Sequence, residues 1–192
     1  KRILFIVYKY FDEDPRPQRE AAALLAEGYE VDVICVRRPG DSRDSGTEGL
    51  RFYSPVMDRK RGNKLRYIAE YLYFLLYALF KSTWLKLTRR YKVIQVFVMP
   101  EVLMLSILPS KLLGTRIIMD WEDPSREVYL AKYEDNAGVF FLGLIGFFEK
   151  LGAALANVII TPNEGFKRTF VSRGHKAEKI HIIMNGPDPR LF

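Results

Sequence analysis

The stretch Ile3-Leu-Phe-Ile-Val-Tyr8 is followed by Lys9-Tyr-Phe-Asp-Glu-Asp-Pro-Arg-Pro-Gln-Arg-Glu20, by Ala21-Ala-Ala-Leu-Leu-Ala-Glu-Gly28, and by Glu30-Val-Asp-Val-Ile-Cys-Val36. The first segment is uncharged throughout and bounded by charge, which reads as a strand buried on both faces. The middle segment reads as a helix, because Pro17 suits a first turn and Gly28 supplies the left-handed residue wanted just past a helix end. A second, nearly all-apolar strand follows. Strand, helix and strand in that order, with both strands apolar, predict a parallel sheet covered on its two sides.

The same alternation runs through the chain. Further strands are expected at Leu50–Tyr53, Val93–Val98, Arg116–Asp120, Val158–Thr161 and Ile180–Met184. Helices are expected near Arg16–Glu27, Leu65–Arg89, Glu101–Leu113, Gly138–Ala156 and Glu164–Arg173, with Gly114 and Gly174 as further C-terminal punctuation. Residues 37–49 read as a polar loop, and no repeat or linker divides the chain. The reading is therefore α/β: a doubly wound, mainly parallel sheet with helices on both faces, Rossmann-like, with ligands beyond the carboxyl ends of its strands. A length of 192 residues suits one domain with an ordinary core.

The opening loop excludes one familiar use of this fold. Dinucleotide binding needs Gly-x-Gly-x-x-Gly straight after the first strand, where backbone must approach a pyrophosphate. Here the first glycine is Gly28, and a P-loop is missing for the same reason. The loop instead carries Arg16 and Arg19, three apart and on one side of the first helical turn. Guanidinium groups beside free helix N–H donors suit phosphate or carboxylate oxygens. The competing reading pairs both arginines with Asp12, Asp14 or Glu20 at the surface.

Composition narrows the chemistry. A lone Cys35 forms no intrachain disulfide and no thiolate zinc site, and two histidines, His175 and His181, are too few for a convincing zinc site. No metal and no bound cofactor are expected. The Ile3–Tyr8 run is too short, and its flanks wrong, for a signal peptide. Uncharged runs at Tyr71–Phe80 and Gly138–Phe148 fall short of the roughly 20 residues that span a bilayer. A soluble or peripheral protein is expected, and the opening Lys1 reads as a trimmed N-terminus. The net charge of +7 could address phosphates, nucleic acid or an anionic membrane.

That charge is concentrated. Asp58–Lys92 holds ten Lys and Arg against Asp58 and Glu70, around the aromatic centre Tyr67–Phe80. Arg59, Lys60, Arg61, Lys64 and Trp84 are the residues that would meet an anionic membrane. A core helix with snorkelling ends is the alternative, and a nucleic-acid surface a third. Tyr67, Tyr71, Tyr73, Phe74 and Tyr77 spread round the helix and favour burial on more than one side. No RNA-binding aromatic signature supports nucleic acid as a partner.

A second concentration is acidic. Asp120, Glu122, Asp123 and Glu127 follow the fifth strand, at the edge where this fold binds ligands. Such carboxylates can orient sugar hydroxyls, act as a base or hold a divalent ion. Asp123-Pro124-Ser125 also reads as a helix cap or a structural hydrogen bond, whereas Glu122 sits where no cap is required.

Several segments, taken in order, resemble the N-terminal half of retaining glycosyltransferases of family 4, of GT-B architecture. They are Arg16-Pro17-x-Arg19-Glu20-Ala21-x-x-Leu24, Gly28–Ile34, Val96-x-x-Met99-Pro100-Glu101, Lys111–Gly114, Asp120-x-x-Asp123-x-x-x-Glu127, Thr161-Pro162-Asn163, and Asn185-Gly186-Pro187-Asp188-Pro189-Arg190-Leu191-Phe192. The resemblance covers essentially the whole chain.

It implies an acceptor-side domain over residues 1–185. Residues 186–192 would begin the connection to a C-terminal domain holding most of the nucleotide-sugar site. The implied activity is transfer of a sugar, with retention, from a nucleotide-sugar donor to a glycan or lipid-linked saccharide in the cytoplasm, at the inner face of a membrane. This half alone would be inactive. Glu122 and Asp123 fall at the catalytic positions, and Arg16, Arg19, Glu127, Asn163 and Asn185 at acceptor- or phosphate-binding ones. Two departures stand out: the family pattern usually has His where this chain has Glu122, and related members often have His near Phe97. The alternative is a catalytically silent module that docks on an anionic membrane or a protein partner through its basic aromatic helix.

Overall fold

A computed structural model describes residues 1–41, 47–58, 64–133 and 138–186. Arg59, Lys60 and Arg61, the side chain of Lys64, and the connection over 187–192 lie outside the described residues. Seven strands form one sheet: β1 (Arg2–Tyr10), β2 (Glu30–Val36), β3 (Leu50–Tyr53), β4 (Val93–Val98), β5 (Arg116–Trp121), β6 (Val158–Thr161) and β7 (Ile180–Ile182). Their order is β3-β2-β1-β4-β5-β6-β7, and every pairing is parallel. The chain winds outward in both directions from β1 and β4, so the topological switch lies between them. A crevice at their carboxyl ends is the expected ligand site.

The helices are α1 (Pro15–Ala26), α2 (Lys64–Arg89), α3 (Leu108–Leu112), α4 (Ser125–Tyr133), α5 (Val139–Leu155) and α6 (Glu164–Ser172). Strand residues alternate between two cores. Phe5, Val7, Val31, Val33, Cys35 and Phe97 meet Ala21 of α1 on one face. Leu4, Ile6, Val96, Ile117, Met119 and Trp121 meet side chains from α2, α5 and α6 on the other. Gly28 and Gly114 take φ of +75° and +79° two residues past the ends of α1 and α3, as the left-handed helix stop requires.

Four expectations need correction. The helix read over Glu101–Leu113 is a 3-10 segment, Glu101–Ile107, followed by the short α3. Pro109 has no N–H with which to continue an α-ladder from the preceding turn, so the helix restarts. The last strand ends at Ile182 rather than Met184, and the Ile183 carbonyl accepts from Arg16 instead. Helix α4 fills a region where only a cap was read.

The fourth correction concerns α2. Its aromatics are not buried on several sides: Tyr71, Phe74, Ala78, Ser82 and Leu85 are the positions turned into the core, while Tyr73, Phe80 and Trp84 are 52%, 70% and 52% exposed. One helical layer covers this face of the sheet, so none of the described residues packs over the outer side of α2. Among the described residues no helix is long and apolar enough to cross a membrane.

Candidate functional site

The loops after β1 and β5 meet at the carboxyl edge of the sheet. Lys9, near the end of β1, places its Nζ 2.7 Å from Asp14 Oδ2 and 2.9 Å from Glu122 Oε2. Asp14 is itself fixed, because its Oδ1 accepts from the Arg16 N–H at 3.2 Å and caps α1. Glu122 is thus held by a cation from the far side of the switch point. Its other oxygen, Oε1, is buried and has no hydrogen-bond partner among the described residues. Burial raises the Glu122 pKa above the usual carboxylate range, against the pull of Lys9. Burial opposes the charge on Lys9 too, yet its bonds to Asp14 and Glu122 leave it above its ordinary value.

Glu122 stands at the boundary of two spaces. On one side is the narrow crevice of the switch point, walled by Val7, Asp14, Phe97 and Met99. On the other is an open cavity of about 450 Å³, lined by Glu122, Asp123, Pro162, Asn163, Phe166, Met184 and Asn185. Its walls mix carboxylates and amides with an aromatic ring and a thioether. Such a lining suits a polyhydroxylated ligand with an apolar face. Asn163 accepts from the Phe166 N–H at 2.8 Å, capping α6 at the cavity rim.

Behind the cavity lies a buried charge cluster. Arg16, 3% exposed, aims its Nε at both oxygens of Asp120 at 2.9 Å, and its Nη2 reaches Asp120 Oδ1 at 2.8 Å. Its Nη1 donates to the Ile183 carbonyl at 3.0 Å and to Asn185 Oδ1 at 2.6 Å. Gln95 donates to Asp120 Oδ2 at 3.2 Å and to Glu20. Burial and the Glu20 carboxylate push the Asp120 pKa well up, and the Arg16 guanidinium works against that shift. Arg19 donates to the Gly186 carbonyl at 2.9 Å and shares Asn185 Oδ1 at 3.3 Å.

The sequence-derived site residues are therefore divided. Glu122, Asp123, Asn163 and Asn185 share the cavity. Arg16 and Arg19 come together, as their spacing required, but the oxygens they meet are the protein's own: Asp120, Glu20, Asn185 and two backbone carbonyls. For Arg16 neither the open phosphate site nor a side-chain pair with Asp12 or Asp14 is what the fold makes, whereas the pair with Glu20 does form, at 3.5 Å and with the arginine buried. Asp12 pairs with Arg38 instead. Glu127 lies on α4, outside the cavity, and pairs with Arg173. Asp123 lies two residues before the start of α4 at Ser125. Lys9 went unread, though its place as the first charge after the first strand was a usable signal. Phe166 and Met184 carried none.

A parallel sheet of this order, with its crevice at the carboxyl ends of β1 and β4, defines a Rossmann-like α/β fold. Solved structures agree at the level of fold. The apo lipopolysaccharide outer core galactosyltransferase WaaB superposes with a TM-score of 0.58 at 14% identity, over 98% of this chain and 46% of that one. Sucrose-phosphate synthase from Thermosynechococcus elongatus gives 0.61 at 16% identity, over 98% and 91%. Arabidopsis thaliana UGT89C1, complexed with UDP-L-rhamnose, gives 0.57 at 14% identity, over 97% and 51%. The chain thus spans about half the length of WaaB. The sequence matches no curated protein. The glycosyl transferase 4-like domain model matches residues 15–186, and the chain belongs to that family.

Proposed function

We propose that this chain is the acceptor-side half of a retaining glycosyltransferase, with the cavity beside Glu122 receiving the transferred sugar or the acceptor hydroxyls. The observation that carries the reading is the Glu122 carboxylate: one oxygen is held by Lys9, the other is buried without a partner among the described residues, and the residue lines an open polar cavity at the carboxyl edge of the sheet. A carboxylate fixed in this way accepts a hydrogen bond from a sugar hydroxyl. It also lies where negative charge would favour an oxocarbenium-like centre. Asp123 and Asn163 supply further polar contacts from the same wall, and Phe166 a flat apolar surface for a sugar ring.

Arg16 and Arg19 act one step back in this account. They tie α1 to Asn185 and so hold the cavity's far wall in place, instead of touching phosphate. Neutralising the leaving diphosphate then falls to a second domain, as in the two-domain pattern that the family resemblance implies. The nucleotide-sugar donor is supported by the family and by a neighbour complexed with UDP-L-rhamnose. The test is a panel of nucleoside-diphosphate sugars offered to the full-length protein with glycan and lipid-linked acceptors. Transfer or slow hydrolysis of one donor supports the reading, and inertness towards the whole panel rejects it.

A further inference from the structure

A second built feature lies away from Glu122, where α2 passes the edge strand β3. A groove of about 370 Å³ is lined by Arg37, Tyr53, Ser54, Tyr77 and Lys81, among others, with no carboxylate among its described residues. Arg37 Nη1 donates to the Asp41 carbonyl, but its Nε is buried without a hydrogen-bond partner. The Lys81 ammonium rests over the rings of Tyr53 and Trp84, 4.8 Å and 4.2 Å from their centroids, and has no carboxylate partner among the described residues. Two cations converge on one hollow, and no carboxylate among the described residues lines it.

Beside this groove runs the uncovered side of α2. Tyr73, Leu76, Phe80, Trp84 and Leu87 recur at helical spacing along one stripe and are 45–70% exposed. The stripe is about 21 Å long at 1.5 Å per residue. Large apolar side chains held in water cost free energy, and a stripe of this size marks a contact surface. Its charge identifies the occupant. The sequence has no acidic residue between Glu70 and Glu101, whereas Lys81, Lys86, Arg89, Arg90 and Lys92 all fall there, and of these only Arg89 has a carboxylate partner among the described residues, Asp32. Two copies packed on this stripe would set like charges against each other. An apolar layer with anionic heads satisfies both the stripe and the groove, and Tyr and Trp suit its boundary.

We propose that this face docks on an anionic lipid surface, with a headgroup phosphate seated between Arg37 and Lys81 and the Phe80–Trp84 stripe in the interfacial layer. The docking face is independent of the Glu122 cavity and stands whether or not that cavity transfers sugar.

The two tryptophans make the test specific, since Trp121 is fully buried and Trp84 is 52% exposed. Tryptophan emission and co-sedimentation are measured with phosphatidylcholine vesicles, with and without phosphatidylglycerol. Expected are binding and a blue shift with the anionic vesicles, and loss of the shift in Trp84→Phe. Arg37→Gln and Lys81→Gln each weaken binding about fivefold, the equivalent of about 1 kcal/mol per cation near an anionic surface. Phe80→Ser, at an exposed position, weakens it without altering the near-ultraviolet circular dichroism. Equal partition into neutral and anionic vesicles overturns the proposal, as does no partition at all. Two other results also overturn it: saturable binding of inorganic phosphate without vesicle binding, or a dimer in solution that Phe80→Ser dissolves.

Discussion

Arg16, in the first turn of α1, and Asp120, at the end of β5, form a buried ion pair across 104 residues of sequence, with Arg16 Nε 2.9 Å from each carboxylate oxygen. The pair is the joint by which the first loop, the central strands and the chain leaving β7 are brought to one place. Its arginine also holds Ile183 and Asn185. A pair so deeply buried is costly to break on one side, because the partner's charge is left without compensation.

Replacing Arg16 by Ala is therefore expected to lower the unfolding free energy by about 3–5 kcal/mol, measured by urea denaturation. Replacing both Arg16 and Asp120 by Leu removes the orphaned charge and recovers much of that loss. An Arg16→Ala variant within about 1 kcal/mol of wild type, the scale of a surface pair, would show that the pair is not structural.

Glu122 adds a pH dependence of known sign. Its pKa in the fold lies above its unfolded value, so the folded protein binds that proton more tightly. Its contribution to stability is greatest below the unfolded carboxylate pKa and falls as pH rises to the folded one. Glu122→Gln removes this fall, so the difference in unfolding free energy between variant and wild type should grow in favour of the variant across that window. Asp120 titrates upward too, but it is common to both proteins and cancels in the difference. Removing the cation with Lys9→Met extends the window upward. A difference that does not change with pH would refute the assignment.

Cys35 gives a test of the core beneath α1. It is 3% exposed, and burial pushes its thiol pKa up to about 11. The thiolate is the reactive form, so iodoacetamide at pH 8 should leave the native protein unmodified and label it in urea at the rate of an open thiol. Prompt labelling of the native state, read by mass spectrometry, would show that β2 is not covered as described.

Much of this architecture was legible because the central strands are nearly apolar on both faces. Ile3–Tyr8, Val93–Val98 and Val158–Thr161 read as buried strands without help from their neighbours. The position of Glu122 and Asp123 followed equally directly, since residues just past a parallel strand stand at the ligand edge. What could not be read was direction and distance. A first-turn arginine looks the same in sequence whether its guanidinium turns outward to a phosphate or inward to Asp120, and no local rule links residues 104 apart. The outer face of α2 misled for a related reason. Tyr73 and Phe80 are residues of a core helix by composition, and they are exposed because no further layer covers them among the described residues, whereas Trp84, read as a membrane-contact residue, is exposed as that reading requires.

Glu122 is the residue on which the functional account turns, and its rate effect in donor turnover is the most direct measurement of it. With a donor that the full-length protein uses, Glu122→Gln should lower kcat by about 100-fold or more while leaving the fold intact, the scale for losing one preorganised electrostatic contact. Arg19→Gln, one shell behind the cavity, should change turnover by less than about tenfold. A Glu122→Gln enzyme that turns over at the wild-type rate would contradict the assignment of this cavity to sugar transfer.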